Sequence, residues 1–258
     1  AGSIQSNGSS NALATKPLRI GIVGAGRMGL AVINEIAAAD TFEVGGVWVR
    51  DASSADDIAT PSGAVVSNDL EHVVAAADVV IDFSLPEATV AVANMAAGHG
   101  KPLVCGVSGL GAEQLEALAR AGSTVAVVYD RNMSQGVTVL QDLVERAAAS
   151  LGDEFSVGIH ETHHVHKKDA PSGTALKLGE TVTRIRGDEE DIRYESERRD
   201  EVPGDHDVVF SSPTESLMLR HSVATRHVFA VGALRAAAWA KNREPGLYAM
   251  RDVLFGDA

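Results

Sequence analysis

The feature that most constrains this chain is a glycine-rich loop between a short apolar run and an amphipathic segment. Leu18–Val23 (LRIGIV) is an apolar run that ends at glycines, as a buried parallel strand does. Residues 24–29 (GAGRMG) fit G-x-G-x-x-G, and Met28–Ala39 then carries apolar residues at helical spacing. The three glycines would permit a tight turn, a close approach to a pyrophosphate, and close packing of helix on strand. The motif predicts a dinucleotide-binding unit; the alternative is a plain glycine-rich turn.

A second indication lies at the end of the next predicted strand, Phe42–Val49, about 20 residues beyond the loop, where an Asp or Glu would hold the ribose 2′-hydroxyl of NAD. The residues there are Val49, Arg50 and Asp51. Arg50 could instead bind the 2′-phosphate of NADP. The alternative is a solvated arginine at a strand end.

Strands and helices alternate as far as Asn132, which implies right-handed crossovers and a parallel sheet. The further predicted strands are Asp78–Phe83, Pro102–Cys105 and Val125–Tyr129, and the further predicted helices are Pro86–Ala97 and Ala112–Ala121.

The pattern changes beyond Asn132, where strands and helices stop alternating regularly. The predicted elements there are a helix over Val137–Ala149, a strand over Phe155–Ile159, a helix over Thr174–Arg186, strands over Val208–Phe210 and Ser216–Ser222, and a helix over Phe229–Ala240. The mixed-charge residues between Arg186 and Glu201 have no apolar period and predict a solvated, mobile loop.

We therefore predict an α/β chain with an N-terminal Rossmann-type parallel-sheet domain and a second, smaller α+β domain. The first domain comprises residues 18–133 plus 227–258, and the second comprises residues 134–226. Residues 1–17, rich in Ser, Asn, Gly and Ala, predict a disordered tail.

Charge and cysteine content limit the class of protein. The chain has 22 Lys and Arg against 35 Asp and Glu, a formal net charge of −13, which disfavours nucleic acid and anionic membranes as partners. No apolar run approaches the roughly 20 residues that span a bilayer. Cys105 is the only cysteine, so an intrachain disulfide is impossible, which fits a cytoplasmic location. An anionic substrate would need a local basic patch.

Residues 160–169 (HETHHVHKKD) form such a patch, with four of the nine histidines and two lysines. One interpretation is a metal site using His160 and His163, but no cysteine or carboxylate set accompanies them, and we predict no metal. A second is an exposed basic loop. A third is an anion site that also transfers protons: residues 172–174 (SGT) open a helix with free N–H groups and hydroxyls, a carboxylate cradle, beside Lys167 and a histidine.

Residues 161–175 (ETHHVHKKDAPSGTA) are similar, almost residue for residue, to the E-x-H-H-x-x-K-x-D-A-P-S-G-T-A signature of 4-hydroxy-tetrahydrodipicolinate reductases. Shorter matches extend the resemblance over residues 18–255: GRMG at 26–29, IDFS at 81–84 with Pro86, GVSG at 106–109, NMS at 132–134, and GLY with MRDVL at 246–254. The resemblance implies a Rossmann domain that binds NADPH or NADH. It also implies reduction of 4-hydroxy-tetrahydrodipicolinate to tetrahydrodipicolinate with loss of water, in lysine and diaminopimelate biosynthesis. By the same resemblance, the second domain serves substrate binding and oligomerisation, and the protein is a homotetramer.

The resemblance also implies roles for individual residues. His163 looks like the family's catalytic histidine and Lys167 like its proton donor. The implied substrate contacts are His164, Ser172, Gly173 and Thr174. The implied cofactor contacts are Gly24, Ala25, Gly26, Arg27, Met28, Arg50, Gly106, Val107, Ser108, Asp130, Arg131, Asn132 and Met133.

This sequence departs from the family pattern in three places. Its glycine loop is one residue shorter than the usual G-x-x-G-R-M-G, and Val49 replaces a frequent acidic residue. The stretch from Val202 to Ser212 lacks the family's G-F-x-x-x-R-x-G-D-I run, which puts the tetramer in question. Two alternatives of other classes stay open: another two-domain dehydrogenase of the aspartate-semialdehyde type, which would need Cys105 as nucleophile, and a dinucleotide-binding sensor without catalysis.

Overall fold

The structure is a computed structural model of the chain and describes residues 16–51, 53, 58–61, 64–187 and 191–256. The predicted tail, apart from Lys16 and Pro17, lies outside these residues. The strands are β1 (Leu18–Val23), β2 (Phe42–Trp48), β3 (Val66–Ser67), β4 (Val79–Asp82), β5 (Leu103–Cys105), β6 (Ala126–Tyr129), β7 (Ser156–His163), β8 (Arg193–Arg198), β9 (Asp205–Ser211), β10 (Ser216–His221) and β11 (Gly246–Tyr248). The helices are α1 (Arg27–Ala37), α2 (Leu70–Ala76), α3 (Pro86–Gly98), α4 (Ala112–Gly122), α5 (Gln135–Ser150), α6 (Gly173–Arg186), α7 (His227–Ala240) and α8 (Met250–Phe255).

The first sheet has seven strands in the order β11-β6-β5-β4-β1-β2-β3, and its neighbouring strands run parallel. Strand order reverses between β1 and β4, which is the switch point of a doubly wound sheet. Ligands bind such sheets outside the carboxyl ends of the strands at that point. The predicted Rossmann-type α/β fold is confirmed, and the glycine loop lies at its expected ligand-binding edge.

Helices cover both faces of this sheet, which explains why its strands are continuous apolar runs. On one face α1 packs against α7, and Ile33 and Leu234 are buried there. On the other face α3 and α4 bury Val92 and Leu118. Each such aliphatic side chain contributes roughly 1.5 to 3 kcal/mol to stability through the hydrophobic effect. The buried layers hold the carboxyl ends of the strands, and the loops on them, in fixed positions.

The second sheet has four strands in the order β10-β9-β7-β8. β8 runs parallel to β7, whereas β9 is antiparallel to both β7 and β10. α5 and α6 cover one face of the sheet, with Val144, Leu178 and Phe210 in the core between them. The sheet thus carries His163 at the end of β7, beside the N-terminus of α6.

The interpretation of the residues between Arg186 and Glu201 as a mobile loop is wrong, because Arg193–Arg198 forms β8. This strand was missed because it carries charged residues at most positions and is held by backbone pairing with β7, a long-range contact. Residues 188–190, in the same stretch, lie outside the described residues.

The C-terminal residues return to the first sheet. β11 pairs in parallel with β6, and α8 packs on α5 and α7. The sequence pattern missed β11 and α8, and it also missed β3 and α2, which are two and seven residues long. None of the helices in the described part of the chain is long and apolar enough to cross a membrane.

Candidate active site

The glycine loop between β1 and α1 has the backbone geometry that a dinucleotide site requires. Gly24 has a φ of 92°, and a Cβ there would lie 2.9 Å from the carbonyl oxygen of Phe83. A Cβ at Gly29 would lie 1.9 Å from the carbonyl oxygen of Gly24, so only glycine allows the helix to start so close to the turn. A Cβ at Gly26 would meet nothing within 4 Å, which leaves that backbone open to a phosphate.

A cavity of about 830 Å³ opens beside this loop, at the carboxyl ends of β1, β2 and β4. Its lining includes Gly24, Ala25, Gly26, Trp48, Arg50, Asp51, Phe83, Ser84 and Leu85. Arg50 is exposed at its rim, where it would meet a ribose 2′-phosphate. The Asp51 carboxylate instead accepts the backbone N–H of Ser53 at 3.0 Å, and this hydrogen bond lowers the pKa of Asp51. The open backbone and the exposed guanidinium group of Arg50 fit a nicotinamide dinucleotide.

His163 ends β7 in a set of buried charged groups. Its Nδ1 hydrogen-bonds the carboxylate of Glu161, two residues earlier on the same face of the strand. Arg198 pairs with His163 in register on β8 and donates to both Glu161 oxygens, at 3.0 and 2.8 Å. Burial lowers the pKa of His163, while Glu161 opposes the shift, so the ring is mainly neutral at neutral pH.

Lys167 lies in the turn after β7, and its side chain is close to His163. Its Nζ is 2.8 Å from a carboxylate oxygen of Asp169. Burial alone would raise the pKa of Asp169, but the hydrogen bond and charge of Lys167 bring it below its usual value. The charge of Lys167 also lowers the pKa of His163, so the two groups are close enough to interact. The pair can therefore hold and transfer a proton beside a bound anion.

The N-terminus of α6 forms the third part of the site. Ser172 is the N-cap residue, and its Oγ accepts the backbone N–H of Ala175 at 3.2 Å. The same Oγ lies 3.2 Å from Nε2 of His206, a buried residue on β9. Burial lowers the pKa of His206 to about 3, so its ring stays neutral. Free N–H groups and small hydroxyl side chains at a helix start suit a carboxylate.

The cofactor side and the substrate side are in direct contact. Asn132, beyond β6, donates from Nδ2 to Oγ1 of Thr174 at 3.2 Å. One turn further along α6, Nζ of Lys177 lies 2.7 Å from the carboxylate of Asp130. Burial and the charge of Arg226 lower the pKa of His164, with a further contribution from Arg27 on the glycine loop. A hydride donor in the first site can thus face a substrate in the second.

The structure also bears on two alternatives considered from the sequence, a cysteine nucleophile and a metal site. Cys105 closes β5 and is fully buried, and burial strongly raises the pKa of its thiol, so it cannot act as the nucleophile of a semialdehyde-type dehydrogenase. No group of three or more His, Cys, Asp or Glu side chains suited to a metal ion occurs among the residues that the structure describes.

Two sequence profiles match the chain, one after the other. The profile described as dihydrodipicolinate reductase, N-terminus, matches residues 18–133, and the one described as dihydrodipicolinate reductase, C-terminus, matches residues 136–254. The chain belongs to the dihydrodipicolinate reductase family. It is accordingly an NAD(P)H-dependent oxidoreductase, and the family assignment made from residues 161–175 is confirmed.

Relatives and solved structures agree with this family. The 4-hydroxy-tetrahydrodipicolinate reductase of Halorhodospira halophila is 43% identical over 264 residues, which cover 92% of this chain and 98% of that protein. The enzyme of the same name from Alkalilimnicola ehrlichii is 40% identical with the same coverage. The dipicolinate-bound dihydrodipicolinate reductase from Paenisporosarcina sp. TG-14 superposes with a TM-score of 0.76 at 21% identity, covering 90% of this chain and 97% of that one. A probable dehydrogenase from Thermotoga maritima gives a TM-score of 0.68 at 11% identity, covering 92% of each chain. At these identities, the two solved structures show the shared fold.

Three residues of this family member were not singled out from the sequence. Glu161 was part of the quoted signature, and its spacing of two from His163 on a strand was the available signal. Arg198 was assigned to a loop, and His206 lies in the stretch that departs from the family pattern. Both reach the site only through pairing of β8 and β9 with β7.

Proposed function

We propose that His163 and Lys167 carry out the proton chemistry of this 4-hydroxy-tetrahydrodipicolinate reductase. The observation that carries the proposal is their position near the N-terminus of α6, where an anion binds favourably. The ring of His163 lies against His206, which contacts the N-cap residue Ser172, and Lys167 pairs with Asp169 just before that cap. The bound NADPH or NADH supplies the hydride to the substrate ring. Lys167 holds at Nζ the proton that the reduction consumes, and His163 assists it.

The substrate is a cyclic dicarboxylate, and α6 provides its cradle. We propose that one carboxylate binds the N–H and hydroxyl groups of Ser172, Gly173 and Thr174, with His164 as a further contact. Ser172 and Thr174 are both buried at the start of this helix. Neutral His206 behind Ser172 fixes the direction of the hydroxyl without adding a charge that would be costly to bury.

The cofactor contacts are proposed on the carboxyl ends of the first sheet. The proposed residues are Gly24, Ala25, Gly26, Arg27, Met28, Arg50, Gly106, Val107, Ser108, Asp130, Arg131, Asn132 and Met133. The side chain of Asp130 binds Lys177 and accepts the backbone N–H of Met250 at 3.4 Å, so its contribution to cofactor binding comes from its backbone. Arg131 pairs with Glu180 at 3.2 Å, at the rim between the two sheets.

Domain boundaries, assembly and location complete the proposal. We place the dinucleotide domain at residues 18–133 plus 227–258 and the substrate domain at 134–226, because β11 and α7 pack on the first sheet. We propose a homotetramer that uses the open face of the second sheet, away from α5 and α6. A cytoplasmic location is supported by the single, buried cysteine and by the NAD(P)H requirement.

The proposal is tested with Lys167→Ala and His163→Gln, assayed by loss of NAD(P)H absorbance with freshly condensed aspartate semialdehyde and pyruvate. Removal of a general acid lowers kcat by roughly 10²- to 10⁴-fold. We expect that loss for Lys167→Ala, a smaller one for His163→Gln, and unchanged cofactor Kd for both. Lys168→Ala, on the adjacent exposed lysine, is the matched control and should keep parental kcat. Unchanged turnover in Lys167→Ala would remove this lysine from the mechanism.

Pyridine-2,6-dicarboxylate, a planar mimic of the substrate ring, tests the carboxylate cradle. It should compete with substrate. Thr174→Val should weaken the binding of this inhibitor several-fold, because a hydroxyl donor is lost. Thr183→Val, on the last turn of α6, is the control and should leave its inhibition constant unchanged. Equal inhibition of parent and Thr174→Val would contradict the assignment of the cradle.

A further inference from the structure

Arg198 binds two parts of the site at once through its guanidinium group. Its terminal nitrogens donate to both carboxylate oxygens of Glu161, at 3.0 and 2.8 Å, in the planar two-bond arrangement that only arginine offers. Its Nε donates to the carbonyl oxygen of Lys167 at 3.2 Å, and a terminal nitrogen also donates to the carbonyl oxygen of Asp169. The same side chain therefore contacts the carboxylate behind His163 and the turn that carries Lys167.

Glu161 transmits this arrangement to the ring of His163. Its side chain is only 1% exposed, so a carboxylate here must be compensated by its two partners. A carboxylate accepts and cannot donate, so the proton of the neutral His163 ring resides on Nδ1, facing Glu161. The other ring nitrogen, Nε2, then carries the lone pair and lies beside Gly204, where an added Cβ would be 2.8 Å from it.

We propose that Arg198 and Glu161 are positioning residues for this reaction, which hold the tautomer and direction of the His163 ring and the position of the Lys167 turn. The inference rests on the proposed roles of His163 and Lys167. Neither Arg198 nor Glu161 contacts the reacting atoms in this scheme. Their contribution is to keep one ring nitrogen and one ammonium group at a fixed separation without reorganisation.

The groups that face His163 determine how its titration should respond. Glu161 on β7 favours the protonated ring, whereas Lys167 in the following turn and Arg198 on β8 oppose it. His206 on β9 meets the ring edge to face, with the ring centroids 5.1 Å apart, and stays neutral. The carboxylate of Asp169 also interacts with the charge of His163. Since Glu161 is the anion hydrogen-bonded to the ring, its neutralisation must lower the pKa of His163.

The first test uses Glu161→Gln, which keeps the size of the side chain and removes its charge. We expect kcat to fall roughly 10- to 100-fold, because an amide can bind either ring tautomer, while the cofactor Kd stays parental. The limb of the kcat/KM pH profile that belongs to His163 should move to lower pH. The nitrogen chemical shifts of the His163 ring should report loss of the pure Nδ1–H tautomer. A parental pH limb and tautomer, at any kcat, would overturn the role of Glu161.

The second test uses Arg198→Lys, which keeps one charge and loses the planar fork. We expect a fall in kcat of roughly 10-fold or more with a parental cofactor Kd, since lysine cannot bind Glu161 and the turn together. Arg199→Lys is the matched control: the adjacent arginine is half exposed and pairs only loosely with Glu197 at 3.5 Å. It should keep parental kcat and pH profile. Equal effects of the two substitutions would overturn the role of Arg198.

Failure of this inference is distinguishable from failure of the proposed function. If Lys167→Ala and His163→Gln lose kcat while Glu161→Gln and Arg198→Lys do not, the positioning role is wrong and the function stands. If Lys167→Ala and His163→Gln keep parental kcat, the proposed function fails and this inference fails with it.

Should Glu161→Gln not fold, the replacement variant is Glu161→Asp, which keeps the charge and withdraws the carboxylate from the ring. It must lower kcat without moving far the limb of the kcat/KM pH profile that belongs to His163. Parental kcat in Glu161→Asp would also overturn the proposal.

Discussion

At the scale of single residues, Arg50 is the position that we propose distinguishes between the two chemically similar cofactors, NADPH and NADH. Arg50 is exposed at the rim of the dinucleotide cavity, whereas the neighbouring Asp51 is turned to the backbone of Ser53. Val49, which takes the place of a frequent acidic residue, is buried and neither binds a 2′-hydroxyl nor repels a 2′-phosphate. We therefore propose that these side chains favour NADPH without excluding NADH.

We predict that Arg50→Ala weakens the binding of NADPH and leaves the binding of NADH nearly unaffected. A charge-assisted hydrogen bond contributes about 1.5 to 3 kcal/mol, which corresponds to roughly 10- to 150-fold in kcat/KM for NADPH. The measurement is kcat/KM for both cofactors in the parent and the variant. Asp51→Asn is the control and should not reverse the preference. An equal loss for both cofactors would place Arg50 away from the 2′-phosphate.

Asp82 is a second residue whose environment has a measurable consequence. It ends β4 fully buried, one oxygen accepts the backbone N–H of Ser84 at 2.9 Å, and the other has no partner among the described residues. Burial raises the pKa of Asp82 to about 6. A carboxyl pKa raised in the folded state means that the folded protein binds the proton more tightly than the unfolded chain. The resulting loss of stability is absent below about pH 4 and complete above about pH 6.

We predict that Asp82→Asn stabilises the protein at neutral pH by up to about 3 kcal/mol, the free energy that corresponds to this pKa. The difference in Tm between variant and parent should grow from pH 4 to pH 6 and stay constant above it. Asp78→Asn, before the other end of β4, is the control with the opposite sign, because hydrogen bonds from Arg19 outweigh burial and lower the pKa of Asp78. A Tm difference independent of pH would contradict the prediction for Asp82.

At the scale of elements, α6 joins the two sheets. Its first turn carries the proposed carboxylate cradle, and its second turn carries Lys177, whose ammonium group reaches the buried carboxylate of Asp130 beyond β6. The exposed pair between Arg131 and Glu180 lies one turn further on. A buried partner makes the first contact energetically important, whereas solvent screens the second.

Lys177→Met should destabilise the protein by about 1 to 3 kcal/mol, because it leaves the Asp130 carboxylate buried and unpaired. Thermal unfolding measures the effect, at roughly 2 to 4 °C per kcal/mol for a chain of this size. Glu180→Gln removes the exposed pair on the same helix and should change stability by less than about 1 kcal/mol. Adding Asp130→Asn to Lys177→Met should restore part of the lost stability. Similar Tm values for all three variants would contradict a stabilising contact between Lys177 and the buried Asp130.

At the scale of the whole molecule, one face of the second sheet has no cover within the described chain. Met218 on β10 is 59% exposed, and it aligns across the sheet with Val209 on β9, Gly158 on β7 and Arg193 on β8. A shallow groove of about 430 Å³ crosses this face. This uncovered face carries small and apolar residues at Gly158, Val209 and Met218 and charged residues on β8. It is the surface through which we propose that copies of the chain assemble.

Met218→Asp should lower the mass of the oligomer in solution. A carboxylate in the middle of a symmetric interface is repeated in each copy and repels its equivalents. Light scattering with size-exclusion chromatography measures the mass in solution. Leu115→Asp adds the same charge to an exposed apolar residue of α4 and should leave the mass unchanged. A parental mass in Met218→Asp would direct the search for the interface elsewhere.

The sequence by itself determined the fold class, the glycine loop, the family and the residues of the signature. Each of these depends on residues close together in the chain: an apolar run, three glycines at fixed spacing, or fifteen consecutive residues with rare side chains. Local order suffices because a strand, a turn and a helix start are short-range structures. The proposed catalytic pair, His163 and Lys167, is only four residues apart for the same reason.

Only the tertiary structure decided what surrounds these residues. Arg198 and His206 approach His163 through strand pairing over 35 and 43 residues, and Lys177 reaches Asp130 over 47. Strand pairing is specified by long-range backbone hydrogen bonds and shared burial, which leave a weak signal in a charged strand such as β8. The charge partners of His163, and so its tautomer and pKa, therefore follow from the fold and not from the residues next to it in sequence.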